Sequence, residues 1–172
     1  MERKGLIQFQ GQDAVVVGPD ITAGQKAPEF TVIGSDWKPV AALASTQGKV
    51  RIIGSLLSAS TSVCDHETRL FNEEAAKLGD DIAIFMVSMD LPFTLKNWCA
   101  SAGIDKVVTL SDHIQADFGQ KYGVLMKDFR VFRRAIFVVD RKGTVVYAEY
   151  TPALAEEPHH AEVLKAARRA LE

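Results

Sequence analysis

The chain lacks almost every feature that would tie it to a membrane, to nucleic acid or to an oxidising compartment. No apolar run comes near the roughly 20 residues of a membrane-spanning helix, so no membrane partner is expected. Neither sign of charge dominates. The 20 Lys and Arg stand against 22 Asp and Glu, for a net charge of −2, and the pI is near 6.1. That leaves no electrostatic case for nucleic acid or an anionic surface. Arg130, Arg133 and Arg134 form the only tight basic cluster before the C-terminal segment. With two cysteines in 172 residues, a disulfide scaffold is excluded and a reducing compartment is the natural setting. The N-terminal Met1–Gln10 stretch carries charge but no apolar signal-peptide core, so the cytoplasm is expected. What is present is ordinary for a globular protein. Hydrophobic residues make up 47% and charged residues 24%, enough to build one domain over residues 1–172 around a real core.

The pattern along the chain alternates strands and helices. Leu6–Gln10 and Ala14–Val17, around Gly11-Gln12-Asp13, read as an N-terminal hairpin. Phe30–Ile33 is a strand, and the near-continuous apolar run Val50–Leu57 is a strand buried on both faces. Ser60, Thr61 and Ser62 offer N-caps for a helix running to Leu78, with Val63, Leu70, Phe71, Ala75 and Leu78 on its apolar stripe. Ile82–Val87 is the next buried strand, and Pro92 opens a helix that carries Trp98 and Cys99 to a stop at Gly103. Val107–Leu110 is a strand and Ile114–Tyr122 a short helix. Ala135–Val139 and Val145–Tyr150 flank the turn Asp140-Arg141-Lys142-Gly143, and Pro158 to Leu171 is a terminal helix. This order predicts an α/β protein of thioredoxin-like, three-layer architecture, with a mixed central sheet and an N-terminal β-hairpin.

Two thiols hold the reactive chemistry. Cys64 falls in the first turn of a helix that follows a buried strand, where free backbone N–H groups and the positive end of the helix dipole favour a thiolate. An ordinary thiol, with a pKa of about 8.5, is only about 3% ionised at pH 7. Bringing that to about 6 requires about 3.4 kcal/mol at 1.36 per unit, whereas a helix terminus supplies about 0.3–1 kcal/mol. A further cation is needed. Arg133 and Arg134, at the head of the strand Ala135–Val139, both qualify. Cys99 lies 35 residues after Cys64. A structural staple between them would contribute about 3.8 kcal/mol, but a reducing compartment keeps such pairs open. Spacing alone leaves two inert, buried thiols as an equal alternative, because no Cys-x-x-Cys motif is present.

The segment Ser58-Ala59-Ser60-Thr61-Ser62-Val63-Cys64-Asp65-His66-Glu67-Thr68-Arg69-Leu70-Phe71-Asn72 resembles the active-site strand-to-helix segment of the bacterial thiol peroxidases, which are atypical two-cysteine peroxiredoxins. Ser88-Met89-Asp90-Leu91-Pro92-Phe93, leading to Trp98-Cys99, is similar to that family's resolving-cysteine helix. The likeness continues through Val107 to Ser111, Ala116-Asp117-Phe118, Tyr122-Gly123-Val124, Arg134-Ala135 and Tyr147 to Tyr150, nearly end to end. The resemblance implies Cys64 as peroxidatic cysteine, Cys99 as resolving cysteine, Thr61 as the hydroxyl residue three positions before Cys64, and Arg134 as the active-site arginine. It further implies a hydroperoxide substrate, a Cys64–Cys99 disulfide as intermediate, a thioredoxin-type reductant and a homodimer. Such chemistry requires no metal, flavin or haem cofactor.

Two positions depart from the family pattern. Leu57 stands where the family has a proline seven residues before the peroxidatic cysteine, and Ser60 where an aspartate is common four residues before it. Proline fixes φ and presents no N–H, so leucine there predicts a slower or less selective peroxidase. It also keeps open a weakly catalytic redox sensor or interaction protein on the same fold. His66, His113 and His159-His160 have no familiar metal spacing and read as surface histidines. Trp98 reads as packing, and Glu156-Glu157 as a solvated turn. Restoring proline with Leu57→Pro is expected to raise the rate of Cys64-dependent peroxide consumption in stopped-flow measurements; a fall in rate would mean that the pocket is built differently.

Overall fold

The computed structural model describes all 172 residues. Seven strands form one sheet: β1 (Thr31–Ile33), β2 (Pro39–Ala41), β3 (Val50–Ser55), β4 (Ile82–Ser88), β5 (Val108–Ser111), β6 (Ala135–Val139) and β7 (Val145–Tyr150). Four α-helices accompany them: α1 (Ser62–Leu78), α2 (Pro92–Ala102), α3 (Asp117–Lys121) and α4 (His160–Leu171). All six residues of β3 are buried. That is the position its apolar sequence demands, between parallel β4 and antiparallel β6. The sheet order is β7-β6-β3-β4-β5-β1-β2. β3, β4 and β5 are parallel and are joined by the crossover helices α1 and α2, while antiparallel pairings add β6 and then β7 on one side and β1 and then β2 on the other.

Period-two alternation sends neighbouring side chains of each central strand to opposite cores. Ile52, Ile84, Met86, Ile136 and Val138 pack with Cys64 and Phe71 of α1 and with Val163, Leu164 and Ala167 of α4. Ile53, Phe85, Val87, Phe137 and Val139 pack on the other face with Phe30, Phe118, Tyr122 and Phe132. The second core is aromatic, with ring centroids 4.8 Å apart for Phe30–Phe118, 4.7 Å for Phe118–Tyr122 and 5.1 Å for Tyr122–Phe137. The outcome is the three-layer, mixed-sheet arrangement that the element order predicts.

Several local expectations shift. The N-terminal hairpin closes one residue earlier than expected, through Gln10 (φ 51°) and Gly11 (φ 76°), so only Gln8–Phe9 and Gln12–Asp13 pair. Val16–Val17 pairs instead with Glu2–Arg3 and with Leu125–Met126. With Val131–Phe132 these make a separate four-stranded sheet. The short helix spans Asp117–Lys121, not Ile114–Tyr122, because Ala116 takes a left-handed conformation (φ 52°, ψ 39°) that a right-handed helix cannot include. The β3 strand ends at Ser55, and α4 starts at His160. No helix is long and apolar enough to cross a membrane.

Gly18 shows how tightly the N-terminal segment seats on α3. It has φ +89°, and a Cβ there would lie 1.8 Å from the Gln120 carbonyl oxygen. Both the conformation and the clash fall on backbone, which cannot swing aside. Gly18→Ala is expected to cost about 2–3 kcal/mol and to lower Tm by about 5–10 °C for a chain of this size. Calorimetry of the variant checks this, and an unchanged Tm would refute the close approach.

Candidate active site

The site begins with the end of β3 and the start of α1. Beyond Ser55 the chain turns through Leu56–Ser60 into Thr61, which occupies the N-cap of α1 in an extended conformation. The Thr61 hydroxyl does not close the helix end: its Oγ1 donates to the Ser58 carbonyl at 2.9 Å. Cys64 follows in the first turn and is completely buried, on the α1 face that packs against Ile52, Met86 and Ile136. One turn further, the Thr68 hydroxyl donates to the Cys64 carbonyl at 2.8 Å.

Of the two candidate cations, the structure brings Arg134 to Cys64. Arg134 Nη2 lies 3.3 Å from Cys64 Sγ and donates also to the Leu154 carbonyl at 3.2 Å. Arg133 is directed the other way, as adjacent residues in extended chain must be. Its Nε donates to the Gly123 carbonyl at 2.9 Å, its Nη2 pairs with Asp20, and its guanidinium lies 4.2 Å from the centre of the Tyr150 ring. Ser55 sets this register. Its hydroxyl donates to the Arg133 carbonyl at 2.7 Å and accepts from the Ala135 N–H at 2.8 Å, straddling Arg134 and pinning the head of β6 to the end of β3.

Glu67 is the functional residue that sequence reasoning passed over. It lies three residues after Cys64, on the same face of α1, and is completely buried. Its Oε2 accepts from Arg134 Nη1 at 2.5 Å, while its Oε1 has no partner. Beside it, Gly54 of β3 makes room for Met86: a Cβ there would sit 2.4 Å from Met86 Sδ, and at 3.8 Å from Glu67 Oε1 would make only ordinary contact. The available signal was a charged residue on the apolar side of α1, i,i+3 from the thiol. Burial pushes the Glu67 carboxyl up to about 7, against the pull of Arg134. Burial opposes the charge of Arg134 too, but Glu67 and Cys64 outweigh it and the guanidinium is held above its ordinary value.

The loop before Cys64 is tied to the loop before α2 by one carboxylate. Asp90 accepts from the Ser58 hydroxyl (2.8 Å), the Ala59 N–H (2.9 Å) and the Ser88 hydroxyl (2.9 Å). Ser60, at the second family departure, contacts the Ser58 hydroxyl at 2.9 Å. Leu57, at the first, packs its half-buried side chain against both the Cys64 core and the cluster of Ile7, Ala14, Val16 and Met126. Its N–H donates to no protein acceptor, so proline at 57 would sacrifice no hydrogen bond.

Cys99 is held by a different partner from Cys64. Both thiols are free. Cys99 Sγ contacts Thr109 Oγ1 of β5 at 3.3 Å, and half-burial pushes its thiol up. A cavity of about 600 Å³, lined in part by Asp36, Lys96 and Thr109, opens against it. Of the histidines, His66 pairs with Glu157, His113 contacts the Ser111 hydroxyl at 2.8 Å and His159 pairs with Glu149 at 2.7 Å. No group of three or more His, Cys, Asp or Glu side chains is arranged to hold a metal ion. Glu157 is therefore engaged by His66 and not simply solvated.

A raised native pKa at Glu67 means that the folded state keeps a proton that the unfolded chain releases from 4.5 upwards. Wild-type stability must then fall, relative to a Glu67→Gln variant, as pH rises from about 4.5 through about 7. Urea unfolding of both proteins across that range checks the sign; parallel profiles would mean that Glu67 titrates at its ordinary value.

Comparison with known proteins gives the family. The Redoxin family model matches residues 22–164. The chain is 44% identical to the thiol peroxidase of Bacillus subtilis (strain 168) over 162 residues, covering 94% of this chain and 96% of that protein. It is 43% identical to the thiol peroxidase of Halalkalibacterium halodurans over 165 residues, covering 96% and 98%. Among solved structures, the peroxiredoxin-like protein from Aquifex aeolicus superposes with a TM-score of 0.84 at 34% identity, over 98% of this chain and 97% of that one. Matched along nearly its whole length by such relatives, this chain belongs to the redoxin family and, within it, to the thiol peroxidases.

Proposed function

We propose that the chain reduces hydroperoxides with Cys64 as the attacking thiolate, Cys99 as the resolving thiol, and Arg134 and Thr61 as the groups that shape the reaction. The observation that carries this reading is the Arg134 guanidinium 3.3 Å from a sulfur in the first turn of a helix. A buried cation and the free N–H groups of that turn favour negative charge on sulfur before reaction and on the departing oxygen during it. Cys64 thiolate attacks the terminal oxygen of ROOH. The O–O bond breaks, RO⁻ takes a proton and leaves as ROH, and Cys64 becomes a sulfenic acid. Because Cys64 has no exposed surface, peroxide reaches the sulfur only with a local displacement of its lining. Thr61, three residues before it, has hydroxyl lone pairs left to meet the peroxide once that happens.

In the second half of the cycle Cys99 attacks the sulfenic sulfur, water leaves and a Cys64–Cys99 disulfide forms. A dithiol protein of the thioredoxin type then reduces it through a mixed disulfide. Recycling of this kind belongs in a reducing compartment, which favours the cytoplasm. Leu91, Phe93, Trp37 and Ile114 are large apolar side chains left 46%, 64%, 41% and 59% exposed, and the Trp37 and Phe93 rings meet at a tilt of 53° with centroids 4.8 Å apart. Such a patch supports a homodimer. The sensor alternative suggested by Leu57 is not favoured, since the full-length relatives carry the name thiol peroxidase.

Peroxide-dependent oxidation of thioredoxin by wild type, Cys64→Ser and Cys99→Ser tests the assignment. Cys64→Ser is expected to abolish turnover. Cys99→Ser is expected to react once with peroxide, accumulate sulfenic acid and then stall. Full turnover by Cys64→Ser would sink the reading.

A further inference from the structure

Two hydrogen-bonding residues flank the two sulfurs in sequence and join the helices that carry them. Asp65, immediately after Cys64, accepts at Oδ1 from the indole N–H of Trp98, immediately before Cys99, at 3.0 Å. Its Oδ2 accepts from Arg69 Nε at 2.8 Å, and Arg69 Nη1 reaches on to the Ala102 carbonyl in the last turn of α2 at 2.9 Å. Burial on its own would raise the Asp65 carboxyl, but the hydrogen bonds from Arg69 and Trp98 hold it below its ordinary value. It is thus an anion with both oxygens engaged. The sulfurs, meanwhile, are held by other groups, Cys64 by Arg134 and Cys99 by Thr109. A disulfide needs Cα atoms about 4.4–6.8 Å apart with Cβ vectors converging. Joining the buried Cys64 to the half-buried Cys99 draws both sulfurs off those partners, a local unwinding that the cross-links between α1 and α2 oppose.

We infer that Asp65 and Trp98 form the latch that holds the two cysteine segments in their reactive, separated arrangement, and that breaking this latch sets the rate of the resolving step. Asp65 and Trp98 are positioning residues, because neither touches a reacting sulfur in this arrangement. The inference rests on the peroxidase reading and assigns the control of its second step. Two reactions compete for the sulfenic acid. In resolution, Cys64–S–OH and the Cys99 thiol form the S–S bond and lose water, with the sulfenic sulfur reduced and the Cys99 sulfur oxidised. In over-oxidation, a second ROOH gives up an oxygen atom to convert Cys64–S–OH to the sulfinic acid and leaves as ROH. A tight latch keeps Cys64 in its folded pocket and favours the second fate; a loose one favours the first.

Trp98→Phe keeps the ring and removes the one donor. Quenched-flow mixing with hydrogen peroxide, followed by thiol alkylation and mass spectrometry, separates sulfenic acid, disulfide and sulfinic acid at Cys64. The expected result is Cys64 oxidation within twofold of wild type and disulfide formation about tenfold faster, equivalent to about 1.4 kcal/mol. The sulfinic fraction should fall at high peroxide. Asp65→Ala, which removes the Arg69 pair as well, should accelerate resolution at least as much, and the double variant should gain nothing beyond Asp65→Ala, because the Trp98–Asp65 bond is already gone. Disulfide formation unchanged or slowed in Trp98→Phe, or additive effects in the double variant, would overturn the latch. Should Trp98→Phe not fold, Asp65→Ala alone decides, and disulfide formation unchanged or slowed in it would overturn the latch. Absence of any sulfenic acid at Cys64 in the wild type would instead defeat the peroxidase reading, and the latch with it.

Discussion

A guanidinium taken out of water loses several kcal/mol of hydration, and the protein must return that in fixed contacts. Arg134 receives three: the Glu67 carboxylate, the Leu154 carbonyl and the Cys64 sulfur. The rest of the site is arranged around that requirement. Ser55 fixes the register that turns Arg134 rather than Arg133 toward α1. Gly54 leaves the room in β3 that Met86 fills beside Glu67. The Thr151–Pro158 connection crosses the site so that Leu154 presents its carbonyl to Arg134. A buried ion pair of this kind is weak evidence for stability. Here it holds a cation within hydrogen-bonding reach of the Cys64 sulfur, in the first turn of α1.

The two cysteines are chemically unequal because their surroundings are. Cys64 is enclosed and faces a cation at the positive end of a helix. Cys99 is half-buried against a neutral hydroxyl, in a helix whose positive end lies seven residues away, and its thiol is pushed up by burial. A nucleophile for peroxide needs the first environment. A resolving thiol gains from the second, since it must stay reduced and unreactive until a sulfenic acid is presented to it. The cross-links between α1 and α2 run the length of that contact. Asp65 binds Trp98, Arg69 the Ala102 carbonyl, and Asn72 Oδ1 the N–H groups of Asp105, Lys106 and Val107 at 3.2, 2.7 and 3.1 Å. Static packing and the motion that catalysis needs are therefore opposed in the same few bonds.

Much of this was legible in the amino-acid sequence, because the information is local. Apolar runs such as Val50–Ser55 and Ile82–Ser88 announce strands buried on both faces, Pro92 and Gly103 bracket a helix, and the motif around Cys64 announces a helix-borne thiol. Where several weak local signals compete, the reading drifted. The left-handed Ala116 shortens a helix whose periodicity looked continuous. Leu125–Met126 and Val131–Phe132 are strands only because Val16–Val17 arrives from far along the chain to pair beside them.

The sequence by itself determined the element order, the layer architecture and the placing of the two thiols on helices, since hydrophobic period and helix punctuation act within a few residues. Only the tertiary structure decided that Arg133 turns away to Asp20 and Gly123, that Glu67 completes the pair with Arg134, that the Thr61 hydroxyl is turned to Ser58, and that Asp65 grips Trp98. Each of those is a contact whose side-chain direction depends on strand register, helix approach or loop path. A one-residue shift in register would exchange Arg133 for Arg134 without altering a single letter of the motif.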